Sequence, residues 1–315
     1  MTEKTYPATY TEADIATLGR INALMAQHGY SQAAVARLAR TSASSLNQVI
    51  AGNYAASPTA ILAKVEAAIN NAQEGAGLNV TAVETTVYKM AVSACNLARV
   101  NKNIAVLSAY VGTGKTYSLR HYTAHHPNTY LLEATPMMTV NTLIKQLARK
   151  VLTYDLKGGL EDKFTAIIDA ISGTDTLFIF DEAETVTPSV LNTLRRLRDI
   201  GRVGIVLSGT EHLRGIIRPE RGQFDQIRSR VGFFPATIQA ITAEDVAALV
   251  QASFGTEDIS EDSIVRLHGY CKGSARMLVE GLIAGLHKYR EARPITPALI
   301  DGVAQKALCL QPIKE

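Results

Sequence analysis

The stretch "IAVLSAYVGTGKTYSLR", residues 104–120, decides the fold. IAVLSA (104–109) is a short apolar run rich in β-formers, and a helical pattern starts at Lys115. Between them lie Gly112 and Gly114, followed by Lys115 and Thr116. A strand, a glycine turn and a helix opening on Gly-Lys-Thr make a phosphate-binding loop. Glycines let backbone N–H groups curl around an anion, and the helix adds its positive N-terminal end. Val111, Gly112, Thr113 and Gly114 would line the loop, with Tyr117 on the first helical turn. Lys115 would reach the terminal phosphates and Thr116 would ligate Mg²⁺. The general pattern is G-x-x-x-x-G-K-[ST], and its opening glycine is here Ala109. Alanine can hold that place if its φ is negative.

Working outward, strand and helix patterns alternate. TYLLEA (129–134), TLFIFD (176–181) and VGIVLSG (203–209) read as strands. Helices are expected over 140–152, 160–171 and 188–199. Such alternation implies a mostly parallel sheet with right-handed crossovers, whose ligands sit beyond the carboxyl ends of the strands. After residue 235 the pattern is helical, over 242–254, 260–270, 273–290 and 296–307. The fold class is therefore α/β: a three-layer P-loop core with a parallel sheet (81–236) and a C-terminal helical lid (237–315). A small all-α domain (1–73) and a Gly/Asn-rich linker (74–80, within NNAQEGAGLN at 70–79) precede it.

Four further pieces fall where that chemistry needs them. The apolar run LFIFD ends in Asp181 and Glu182. Asp181 would hold Mg²⁺ and Glu182 would orient and deprotonate an attacking water. In IVLSGT, the strand end resembles that of AAA+ ATPases, which place a polar sensor beside the γ-phosphate; Ser208 and Thr210 both suit it, Thr210 the better. In FDQIRSRVGFF, Arg230, then Arg228, suits a finger acting in a neighbouring subunit's site. GYCKGSARML resembles the lid-helix start where AAA+ proteins place a second sensor, which implies that Arg276 would reach the γ-phosphate from the lid. ATP and Mg²⁺ are the implied cofactors.

The N-terminal stretch SQAAVARLARTSASSLNQVIAGNY (31–54) has helix-turn-helix spacing. Ser31 would cap the first helix, and Val35, Ala36 and Ala39 would form its packed face. Thr41-Ser42-Ala43 would turn, and Ser44 or Ser45 would start a second helix packed by Leu46, Val49 and Ile50. Ser44, Ser45, Asn47 and Gln48 would then face DNA, while Arg40 stands where glycine is common. Residues 1–80 carry five basic and five acidic side chains, so this module offers little counterion-release energy. A protein-interaction role is the alternative.

Composition sets the outer bounds. The 315 residues are 47% hydrophobic and 19% charged, which excludes a disordered chain and allows about two domains. The net charge of +3 permits nucleic acid without demanding it. Three cysteines without a CxxC spacing argue against a zinc site or disulfide framework. The polar start MTEKTYPATYTEAD and the lack of any apolar run near 18 residues leave no membrane partner. A cytoplasmic setting is expected.

With these pieces in order the chain resembles the MuB family, the phage Mu DNA transposition protein B family of AAA+ target-selecting ATPases. The resemblance runs through VETTVYKMAVSACNLARVNKNIAVL, GTGKT, FIFDEAE, GIVLSGTEHL and the RSR arginines. It implies an ATP-dependent, nonspecific DNA-binding ATPase of a phage or prophage. Such a protein would form a helical filament of its own copies on double-stranded DNA. It would deliver that target to a DDE transposase (MuA-like) and stimulate strand transfer. Hydrolysis provoked by the transposase would disassemble the filament and give target immunity. The basic residues of the filament bore match loosely here, at Lys157, Arg195 and Arg196. An ATP-regulated helix-turn-helix transcription regulator, another DNA-remodelling or initiator-type AAA+ protein, and a scaffold that no longer hydrolyses ATP are the other readings.

Overall fold

A computed structural model describes residues 6–7, 9–28, 32, 35–36, 39, 41–75, 83–152, 157–217, 225–255, 259–290 and 294–311. The chain divides into two compact units, Met1–Asn79 and Val80–Glu315.

In the first unit, helices α1 (Glu12–His28), α2 (Ala43–Ala51) and α3 (Thr59–Gly75) are described. Leu18, Ile21, Val35, Ala36, Leu46, Val49, Leu62 and Val65 form its buried core. Ala39 joins that core, so the packed face expected for 32–39 is buried; Ser31 and Arg40 lie outside the described residues. The second helix starts earlier than the spacing suggests. Ser42 is its N-cap, accepting from the Ser45 N–H, and Ala43 is already helical. The cap satisfies an amide that a start at Ser44 or Ser45 would leave unpaired. Gly52 closes α2 at φ 77°. The linker also starts later than its composition suggests, because α3 runs on to Gly75. Asn70–Glu74 holds residues a helix tolerates, and Gly75 is the first breaker.

The second unit is a five-stranded parallel sheet in the order β2-β3-β4-β1-β5. The strands are β1 (Ile104–Ser108), β2 (Thr129–Glu133), β3 (Leu177–Asp181), β4 (Gly204–Gly209) and β5 (Val231–Phe233). Every residue of β1, β3 and β4 is buried, as strands covered on both faces must be. One face packs α4 (Thr86–Asn101) and α5 (Lys115–His125) through Ala91, Ala94, Ala98, Leu119 and Tyr122. The other packs α6 (Val140–Val151), α7 (Leu160–Ile171) and α8 (Pro188–Gly201) through Leu143, Leu147, Phe164, Ile167, Leu191 and Leu194. Alternate residues of one strand serve the two layers, Ala105 and Leu107 on the first, Ile104 and Val106 on the second.

Two short helices, α9 (Glu211–Ile217) and α10 (Asp225–Arg228), lie between β4 and β5. The C-terminal helices are α11 (Ala243–Phe254), α12 (Glu261–Cys271), α13 (Ala284–Tyr289) and α14 (Pro297–Gly302). A π-helical stretch, Met277–Ile283, leads into α13, and another, Val303–Ala307, follows α14. Among the described residues no helix is long and apolar enough to cross a membrane.

Candidate nucleotide site

The glycine loop leaves β1 at the carboxyl end of the sheet. Ala109 is fully buried and still in the sheet: it bridges Ile238, and its N–H donates to the Gly209 carbonyl at 3.1 Å. It is absent from the positive-φ residues, whereas Gly112 and Gly114 have φ of 79° and 105°. The left-handed turns thus fall on the two glycines that are present, and the alanine occupies a place any L-residue can take.

Lys115 opens α5, and its Nζ donates to the carbonyls of Ala109 (2.5 Å) and Tyr110 (3.1 Å). Burial pulls the lysine below its ordinary pKa and Arg276 adds to that, while Asp181, Glu184 and Glu211 push it back up. Thr116 Oγ1 donates to Asp181 Oδ2 at 2.5 Å. The other oxygen of Asp181 accepts from Ser208 Oγ (2.8 Å) and from the Glu182 N–H (3.1 Å). Asp181 is therefore buried but fully hydrogen-bonded, as a buried carboxylate must be. A threonine hydroxyl beside a carboxylate is a hard-oxygen pair suited to Mg²⁺, and buried Lys115 under two positive-φ glycines suits a phosphate. The residues present fit both groups.

Glu182 is held in the left-handed region at φ 55° and is exposed. Partial burial raises its pKa, aided by the charges of Glu133, Asp181 and Glu184, with Lys115 opposing. Thr210 follows β4; its hydroxyl is buried without a hydrogen-bond partner, and its N–H donates to Glu184 Oε1 at 3.0 Å. Ser208, the other sensor candidate, is committed to Asp181. Thr210 is thus the one of the two with a hydroxyl still unpaired.

The lid reaches the loop through GSAR. The Arg276 N–H donates to the Gly112 carbonyl at 2.9 Å, and a Cβ on Gly112 would lie 2.5 Å from Ser274 Oγ. Gly112 is therefore required twice, by its φ and by this close approach. Tyr117 and Val111 are exposed beside it, and Thr113 is buried with its hydroxyl on the Tyr110 carbonyl.

Arg230 is not brought to these residues. Its carbonyl accepts from Ile104 N, the first residue of β1, so it stands at the opposite end of the sheet. There its Nε donates to both oxygens of Asp199 at 2.9 Å. Arg228 lies over the Phe234 ring. Of the expected DNA contacts, Ser44, Asn47, Gln48 and Lys157 are exposed, and Ser45 is half-buried. Arg196 lies over the Phe164 ring, and Arg195 has its Nε buried without a partner.

The sequence reading passed over Glu184 and Ser274. The third acidic residue of DEAE, two places after Glu182, was the available signal for the first. Nothing local marked the second, because its contact spans 162 residues.

Comparison with known proteins agrees with this frame. Residues 98–217 match the AAA domain family. The chain is 25% identical over 230 residues to the Mu-like prophage FluMu DNA transposition protein B of Haemophilus influenzae, covering 70% of this chain and 79% of that protein. It is 30% identical over 132 residues to the ATP-dependent target DNA activator B of Escherichia phage Mu, 42% of each chain. Among solved structures, the Thermotoga maritima RuvB Holliday junction branch migration motor aligns at TM-score 0.47 and 14% identity, over 70% of this chain and 68% of that one. Loop, strand-end carboxylate and matched sequences point the same way: residues 98–217 match the AAA domain family, and the chain is similar to the Mu-type DNA transposition B proteins.

Proposed function

We propose that this protein is an ATP-dependent, nonspecific DNA-binding ATPase that assembles on target DNA, delivers it to a DDE transposase and stimulates strand transfer. The observation that carries this reading is the meeting of Lys115, Thr116, Asp181 and Thr210 at the carboxyl ends of β1, β3 and β4, in a chain whose relatives bear transposition names.

When bound, Mg·ATP supplies the phosphoryl group that hydrolysis transfers to water, giving ADP and phosphate. The chain's residues do the rest by position and charge. Lys115 presents its ammonium at the loop mouth, from between two carbonyls. Thr116 and Asp181 would hold the cation through their facing oxygens. Glu182 would take a proton from the attacking water; its raised pKa makes it a stronger base than an ordinary glutamate. Arg276, anchored through its backbone on Gly112, would couple the lid to the phosphates. Arg230 would act on a neighbouring copy, which makes self-assembly part of the chemistry. Double-stranded DNA, the transposase and other copies of the chain are the proposed partners. The exposed Ser44, Asn47 and Gln48, with Ser45, and Lys157, Arg195 and Arg196 are the proposed DNA contacts.

The test is negative-stain microscopy of the protein with duplex DNA, with and without ATP. Filaments are expected only with ATP, and Lys115→Ala should form none. Filaments that form equally without nucleotide, or normally from Lys115→Ala, would overturn the reading.

A further inference from the structure

Thr210 and Glu184 share an arrangement that the roles above leave unused. Glu184 sits in the 3-10 turn Ala183–Thr185 just after β3. One carboxylate oxygen accepts the Thr210 N–H at 3.0 Å. The other is buried without a hydrogen-bond partner, as is the Thr210 hydroxyl. Gly209 makes the approach possible, since a Cβ there would overlap Glu184 Oε2. The Thr210 carbonyl is held as well, accepting from Ser108 Oγ at 3.0 Å and from the Leu213 N–H at 3.1 Å. Glu184 also lies close enough for its charge to act on Lys115.

Leaving two polar atoms buried and unpaired costs on the order of 1–3 kcal/mol each. Such orphans persist where a ligand or a reacting group completes them. Glu182, the residue that caps the start of that turn, is exposed by contrast.

We propose that Glu184 is a positioning residue for hydrolysis: it clamps the end of β4 through the Thr210 amide and so sets the Thr210 hydroxyl against the reacting phosphate and water. This rests on the ATPase reading above. The clamp joins the turn after β3 to the end of β4, so the two elements that flank the γ-phosphate move as one. Its role is to accept a hydrogen bond, which an amide oxygen can also do.

The experiment compares native protein with Glu184→Ala, Glu184→Gln, Thr210→Val and the Glu184→Ala/Thr210→Val double variant. ATP turnover and affinity for a fluorescent ATP analogue are measured for each. Misplacing a catalytic group costs about 10²-fold. Glu184→Ala should therefore lower kcat about 100-fold while analogue affinity stays within about twofold. Glu184→Gln should restore most of the turnover, and the double variant should be no slower than the worse single one. A purely structural glutamate would instead weaken analogue binding and kcat together. If Glu184→Ala does not fold, Gly209→Ala displaces the same carboxylate without removing it and should reproduce the kcat loss. Native turnover in either variant, or losses that multiply in the double variant, would overturn the clamp. A native chain without ATP turnover would instead sink the ATPase reading, and the clamp with it.

Discussion

Thr116 Oγ1 donates to Asp181 Oδ2 at 2.5 Å, closing a contact between residues 65 apart in sequence. The bond joins the first turn of α5 to the last residue of β3. Two crossovers, leaving β1 and β3 on either side of β4, thus begin at one point, where a hard cation would find both oxygens. Thr116→Ala should therefore lose at least about tenfold in ATP affinity with Mg²⁺ present and little in its absence. Isothermal titration with and without EDTA reads both numbers. The fold should lose only about 1 kcal/mol, because Asp181 keeps Ser208 and the Glu182 N–H. Equal losses in the two titrations would remove Thr116 from the cation site.

Gly204 lets α4 lie directly on β4. A Cβ there would stand 2.5 Å from the Ala98 carbonyl oxygen and 2.8 Å from Arg99 N, both backbone atoms that cannot swing aside. Gly204→Ala should destabilise the ATPase unit by about 1–3 kcal/mol, the range for overpacking a core, in urea unfolding followed by circular dichroism. The unsubstituted midpoint would mean that α4 can shift at no cost.

Those two contacts show what the chain reveals before it folds. Apolar runs ending in glycine or carboxylate mark β1, β3 and β4 because strands buried on both faces admit nothing else. Gly-Lys-Thr and Asp-Glu are legible for the same reason: position at a strand end fixes what they can do. β5 escaped because it is three residues long, half-exposed and paired only to β1. Ser42 and Ala43 escaped as a helix start because Ser42, Ser44 and Ser45 are equally good caps on paper, and only the backbone selects Ser42. By type, Ser208 and Thr210 both suit the sensor, Thr210 the better. The structure separates them, since one hydroxyl is spent on Asp181 and the other has no partner. Ala109 is legible as a tolerated variation because its place needs only a negative φ; the left-handed turns belong to Gly112 and Gly114.

Glu182 carries a pH signature. Its pKa is raised above the ordinary 4.5 by partial burial and by neighbouring carboxylates. A carboxyl raised in the folded state stabilises the fold fully below its unfolded value. That contribution is lost as pH rises through the folded value. At neutral pH the ionised Glu182 therefore weighs against folding. Glu182→Gln should melt higher than the native protein at pH 7, with the difference shrinking as pH falls toward 4. Turnover should drop about 10²–10⁴-fold while ATP still binds, so ATP-formed filaments should persist. Turnover at the native rate would show that Glu182 does not activate the water. A melting difference that does not change with pH would show that the charge is not the cause.

Arg230 stands at the far end of the sheet from Lys115 and is held there by Asp199, whose pKa is lowered: burial works against the charge, and the hydrogen bonds from Arg230 and Arg198 outweigh it. That place keeps it from its own chain's site and leaves two roles, a finger for a neighbour's site or a strut for Asp199. Arg230→Ala should bind ATP normally yet lose about 10³-fold in DNA-stimulated turnover, the scale of an arginine finger. Lys115→Ala should be inactive for the opposite reason, with an intact finger and an empty loop. Mixing the two variants on DNA creates interfaces with a native loop on one side and a native Arg230 on the other. The mixture should therefore turn over ATP faster than either variant alone. An ion-pair role would behave differently: the partly exposed pair is worth about 1 kcal/mol or less. In that case Asp199→Ala and Arg230→Ala would lower stability alike, leave turnover near native, and gain nothing on mixing. Complementation, read as the ATPase rate of the mixture against the two parents, decides between a finger and a strut.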